Sequence, residues 1–146
     1  MSKSHQTVQE LKVWRKSVDL VEVCYKLSAA LPVDERFGLI SQIRRAATSI
    51  PANIAEGFGR WNARDLGRFL AIASGSLREL DTHLIICQRL GYLPGNSVEA
   101  VLLRTDELAG MLYRMRTRVM SNAEVSESLN RSCQEAKVRT RFSDIS

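Results

Sequence analysis

Arginine at helical spacing is the chemistry this sequence offers. Arg64, Arg68 and Arg78 fall within roughly 80° of one another on one predicted helix, taking about 100° per residue. Arg104, Arg114 and Arg118 cluster on a second, with Glu107 among them, and Arg44, Arg45 and Arg60 surround a third. Guanidinium groups arrayed in this way suit phosphates, which they neutralise with little reading of base identity. The same arginines on a solvated helix face are the plainer alternative, and on the second helix the macrodipole alone favours acids leading and arginines trailing.

The other reactive side chains do not assemble into anything. Glu79 and His83 stand four apart on one helix, a surface or polar pair and not a metal site, since the two Glu-x-x-His motifs of di-metal bundles are missing. His5 sits near the N-terminus. Gly57-Phe58-Gly59 follows no strand and precedes no lysine, so it is no phosphate loop. Cys24, Cys87 and Cys133 are far apart, odd in number and without C-x-x-C spacing, which indicates neither a disulfide framework nor zinc. The expectation is a protein with no catalytic activity, no metal and no cofactor.

The chain that must hold these residues has 146 of them, enough for one domain with a core. Hydrophobic residues at 45% and charged residues at 25% fit a globular protein. Lys and Arg number 21 against 16 Asp and Glu, a net +5 and a pI near 9.4, a surplus that points toward an acidic partner. The N-terminus leads straight into charged sequence, and no apolar stretch approaches the ~18 residues of a membrane span. A cytoplasmic protein with no membrane partner is expected.

Few segments alternate with period two, so the fold is all-α. A first helix from about Thr7 to Ala30 stops at Leu31-Pro32. It carries two apolar stripes, Leu11, Trp14, Val18, Val21 and Tyr25 beside Val13, Leu20, Cys24, Leu27 and Leu31, wider than an ordinary surface helix needs. Such a helix is central, or its outer stripe meets another subunit. A second helix runs from Asp34 or Glu35 to about Phe58, kinked or broken at Pro51. Next to its apolar arc lies a polar stripe of Gln42, Arg45, Ser49, Asn53, Glu56 and Arg60. It is read mainly as structural, with Asn53 and Ser49 satisfying backbone groups freed by Pro51, and Glu56 and Arg60 spaced as an i,i+4 pair.

Asn62 caps a third helix with Asp65 three residues on, and Gly91 ends it. Gly75, among Ala71, Ser74 and Ser76, marks a close approach by another helix, because mid-helix glycine costs about 1 kcal/mol. The turn Tyr92-Leu93-Pro94-Gly95 leads to a fourth helix ending near Met120. Short links make an up-down-up-down four-helix bundle the economical architecture for residues 1–120. Residues 121–146 are poor in large apolar side chains and are expected to be a disordered or context-ordered tail, with Leu129, Val138 and Phe142 as its only anchors.

The run from Phe37 to Arg60, FGLISQIRRAATSIPANIAEGFGR, resembles the signature of the bacterial four-helix-bundle proteins encoded in intervening sequences of ribosomal RNA genes. The likeness extends through Leu11, Val13, Trp14 and Tyr25 before it, and through Phe69 to Leu80 and Leu90-Gly91-Tyr92-Leu93 after it. It covers about residues 8–120, and Thr48 departs from the usual pattern. The resemblance implies a bundle that assembles into a ring-shaped homopentamer and carries no enzymatic activity. It also implies kinship with the accessory variability determinant of diversity-generating retroelements, a basic bundle that binds nucleic acid and a reverse transcriptase. Two functions follow as expectations: an oligomeric module binding RNA or DNA through phosphates, or an oligomeric adaptor for a protein such as a reverse transcriptase.

Overall fold

The computed structural model describes residues 6–143, the side chain of Phe142 excepted, and His5 lies outside that range. Four helices make up the fold: α1 Lys12–Ser28, α2 Leu39–Phe58, α3 Ala63–Arg89 and α4 Gly95–Ser143. No strand occurs among the described residues. Consecutive helices pack on one another and α1 closes against α4. The pairings run in opposite directions, since Ser49 meets Ser76, Arg78 meets Asp106, and Lys16 meets Glu107. The up-down-up-down bundle is the result.

Two ends differ from the expected spans. The first helix is split, because Leu11 is extended at φ −72°, ψ 121°. A single 3-10 turn, Val8–Glu10, precedes it, and the Glu10 carboxylate accepts from the Thr7 amide at 3.2 Å. Likewise Asp34 and Glu35 lie in a separate 3-10 turn, Val33–Glu35. Glu35 still serves α2, accepting from the Leu39 amide at 3.0 Å and so satisfying one of the first-turn donors.

Burial follows the apolar periodicity. Of the two stripes on α1, the one through Val13, Leu20 and Cys24 is the core face, continued past the helix by the buried Leu31, while Trp14, Val18 and Val21 are half-buried and Tyr25 is exposed. Ile43, Ala47, Ile50 and Ile54 of α2 meet Leu70, Leu77, Leu80 and Leu84 of α3, all essentially without solvent contact. Pro51 lies inside α2 without breaking it. The Asn53 amide nitrogen donates to the carbonyl and hydroxyl oxygens of Ser49, at 2.8 and 2.9 Å, and the Ser49 and Ser76 hydroxyls meet at 2.8 Å. The carbonyl that Pro51 leaves without its helical donor is that of Ala47, so this polar chain joins α2 to α3 instead of repairing the proline.

Close approach occurs at other glycines than the expected one. A Cβ on Gly75 would meet nothing within 4 Å, whereas one on Gly57 would lie 2.8 Å from the Phe69 Cβ, and one on Gly67 would lie 2.5 Å from the Met120 Sδ. In the expected small-residue stretch it is Ala73 and Ser76 that are buried. Asn62 caps α3 as expected, its Oδ1 accepting from the Asp65 amide at 2.8 Å. Gly91, at φ +77°, turns the chain after α3 with a conformation that glycine adopts freely.

The largest difference is at the C-terminus. Of the two expectations for the tail after residue 120, disordered or ordered by context, α4 takes the ordered form and continues to Ser143. Beyond Met120 only Ala123 is buried among the described residues, and Leu129 and Val138 are exposed and anchor nothing. No glycine or proline follows Gly110, so the polar stretch can remain helical without burying an apolar face. Glu127 adds a tether, described below.

Candidate nucleic-acid interface

The three arginines of α3 share an open face, yet each has a carboxylate beside it. Arg64 is bound by both oxygens of Glu127 on α4, at 2.5 and 2.7 Å. The hydrogen bond and charge of Glu127 raise the arginine's pKa, and Arg64 in turn holds Glu127 below the usual carboxylate range. Arg78 lies 3.1 Å from Asp81 and 3.6 Å from Asp106. Arg68 is the most loosely held, 4.0 Å from Asp65. This set joins α3 to α4 as much as it faces solvent.

Around α2 the cations divide similarly. Arg44 donates from Nε to Ser28 Oγ at 3.0 Å and lies 4.6 Å from the centre of the Tyr25 ring, so it fastens α2 to α1. Arg60 pairs with Glu56 at 2.5 Å, the i,i+4 pair that the spacing predicts. Arg45 and Gln42 are exposed, and Arg45 has no carboxylate within 4 Å among the described residues. Of the polar stripe, Ser49 and Asn53 are half-buried and tied to each other.

The three arginines of α4 do not stay together. Arg104 borders a patch with Lys16, Asp19 and Glu107, where Lys16 and Glu107 pair at 2.6 Å. The Lys16 hydrogen bond and charge keep the Glu107 carboxyl below its ordinary range. Arg114 and Arg118, however, line a groove between α1 and α4 with Lys12. Its floor is Leu11, Val13, Met111 and Met115, and Gln6 closes the end. Three cations and no carboxylate line it, and none of the three pairs with an acid among the described residues.

The antiparallel packing brings more cations to this end than one helix could carry. The starts of α1 and α3, the end of α2 and residues 111–127 of α4 lie together. Arg116 ties them by donating from Nε to the Gly67 carbonyl at 3.2 Å. Lys12 and Arg116 carry no signal of their own in the sequence. Lys12 could have been found by pairing the start of the first helix with the far part of an antiparallel fourth, but the register that sets it beside Arg114 is tertiary.

Elsewhere, His83 Nε2 lies 3.4 Å from Glu79 Oε1. Among the described residues no group of three or more His, Cys, Asp or Glu is gathered for a metal, and no helix is long and apolar enough to cross a membrane. Burial, and then the charge of Asp81, pushes the Cys24 thiol up to about 12.

A family model described as 23S rRNA-intervening sequence protein matches residues 9–114. The chain is also similar to a crystal structure at 1.70 Å of a protein of unknown function from the S23 ribosomal protein family of Bacteroides thetaiotaomicron. The two are 26% identical over 71% of this chain and 97% of that one, with a TM-score of 0.67. No curated protein matches. Arg118 and the remainder of α4 lie beyond the matched range.

Proposed function

The chain belongs to the 23S rRNA-intervening sequence protein family, and from that premise and the α1–α4 groove we propose that it is a non-enzymatic module binding RNA or DNA through phosphates. The observation that carries this reading is the groove itself, lined by Lys12, Arg114 and Arg118 and by no carboxylate. The remaining clusters mix signs, which in water leaves little net field. A groove of one sign on a low-dielectric floor focuses potential and attracts a polyanion.

Assembly multiplies the effect. The proposal includes the ring-shaped homopentamer that the sequence resemblance implies, and the outer stripe of α1, with Trp14, Val18 and Val21 half-buried and Tyr25 exposed, supplies apolar surface for such a contact. Five copies of a +5 subunit carry about +25, enough to steer nucleic acid at low salt.

The test is anisotropy of a labelled RNA hairpin and a DNA duplex across a salt series, for wild type and R114A/R118A. The wild type should show affinity falling linearly with log salt, and the double variant a weaker affinity and a slope shallower by about 0.9 for each phosphate it no longer neutralises. The control R64A/R78A should affect binding less, because those guanidiniums already face Glu127, Asp81 and Asp106. Equal affinities for R114A/R118A and wild type would remove the groove from the reading.

A second reading, an adaptor for a protein such as a reverse transcriptase, draws on one observation. The part of α4 beyond Met120 exposes Val125 and Leu129 one turn apart on the same side, a free apolar contact for a partner chain. Pull-down from the native host with and without residues 121–146 tests it, and a stoichiometric protein that disappears on truncation is the supporting outcome.

A further inference from the structure

Among the described residues Trp61 is the one large aromatic whose surface is entirely open, with a relative exposure of 102%. It sits in the four-residue link between α2 and α3, two positions past Gly59, which ends one helix, and directly before Asn62, which caps the next. Turn positions favour glycine, asparagine and other small polar residues, and an indole there leaves some 150–250 Å² of apolar surface in water. Nothing in the fold uses it, since it packs on no core residue.

Its surroundings narrow what could cover it. Arg60 precedes it, Arg64 follows one turn into α3, and the hollow it borders runs to Ser126 and Glu127 of α4. Arg60 and Arg68 place their guanidinium carbons 5.1 and 5.0 Å from the centre of the Phe69 ring. Stacked in this way, a guanidinium keeps its hydrogen-bonding edge for an anion, an edge that Arg60 gives to Glu56. Arg68 is the freest of them, with Asp65 4.0 Å away and 64% of its side chain exposed. A partner for this corner must therefore offer a flat face to the indole and an anion to the arginine stacked on Phe69.

We propose that Trp61 is a stacking platform for an unpaired nucleobase, with Arg68 receiving a flanking phosphate. An unpaired base in a single strand or loop presents its face freely, whereas a base in a duplex keeps both faces in the stack. The corner lies at the same end of the bundle as the Lys12, Arg114 and Arg118 groove, tied to it through Arg116 and Gly67. The inference rests on the nucleic-acid reading and adds to it a preference for unpaired strands.

The experiment compares wild type, W61A and W61F binding to a labelled single-stranded uridine oligonucleotide and to a duplex of equal charge, each across a salt series, with light scattering for mass. Trp61 packs on nothing in the core, so all three proteins should melt together. W61A should bind the single strand about tenfold more weakly with an unchanged salt slope, because stacking releases no counterions. W61F should recover most of that affinity, and the duplex should change less than twofold. Wild type that binds duplex while W61A keeps full single-strand affinity overturns the stacking site alone. A W61A weakening equal on both ligands, or a change in mass, makes Trp61 a general or subunit contact and also overturns it. Wild type that binds neither ligand at low salt overturns the nucleic-acid reading itself.

Discussion

Cys24 and Asp81 illustrate how one buried pair of neighbours governs behaviour that no surface residue would reveal. The Cys24 thiol is pushed up to about 12 by burial and by the Asp81 charge, and burial followed by Glu35 raises Cys87 as well. A raised thiol stays neutral in the folded state while the unfolded chain ionises near pH 8.5, so its contribution is complete below that pH and is lost as pH climbs toward 12. The denaturant midpoint should therefore fall as pH rises through 9 and 10, and C24A should flatten that fall in a urea titration followed by circular dichroism. At pH 8 a thiol reagent should modify one cysteine in the native protein, the exposed Cys133, and all three in denaturant. Arg78 belongs to the same neighbourhood. It donates to Asp81 Oδ2, while Oδ1 is buried with no partner. Removing the guanidinium strands a mostly buried carboxylate, so R78A should cost about 1 kcal/mol, a partly exposed pair being worth less than a fully buried one, and lower Tm by a few degrees. R114A, with no such partner, should leave Tm unchanged.

Between helices, glycine decides how near two backbones can come, and the fold separates three glycines that look alike as letters. G75A adds a methyl in open space and removes a mid-helix glycine, so thermal melts should show about 0.5–1 kcal/mol of stabilisation. G57A drives a methyl against Phe69 Cβ and should cost about 1–3 kcal/mol. Sequence periodicity locates all four helices, the Asn62 cap and the Glu56–Arg60 pair, because these rest on interactions within a turn or two. It misassigns Gly75 because a small residue in a helix is equally consistent with close packing and with exposure, and only the neighbouring helix decides. The arginine clusters fail for the same reason. Angular position on a single helix puts Arg64 and Arg78 on an open face, but whether an acid stands opposite depends on the register of α4, which sets Glu127 and Asp106 there. That register likewise divides Arg104 from Arg114 and Arg118. The end of α4 escapes detection because its composition resembles a disordered segment, while helix continuation requires only the absence of breakers.

For the molecule as a unit, the bundle and the projecting part of α4 are energetically almost separate. Past Met120 the only buried residue among those described is Ala123, and the Arg64–Glu127 pair is exposed on both sides, a kind of interaction worth about 0–1 kcal/mol. A chain ending at residue 120 should lose helical ellipticity in proportion to its length yet melt within a few degrees of the full chain. The charge distribution works at this level too, since cations of four different helices converge at one end only because the bundle alternates direction. At ~1.5 Å per residue, the 49 residues of α4 form a rod of about 74 Å, nearly twice the length of the 27-residue α3. Cys133 lies well out along that rod and is its only thiol, which makes it a ready attachment point for a dye. In a closed ring, five such spars would hold five identical fluorophores at fixed separations. Loss of polarisation through energy exchange between them would then count the subunits in solution from the light they emit.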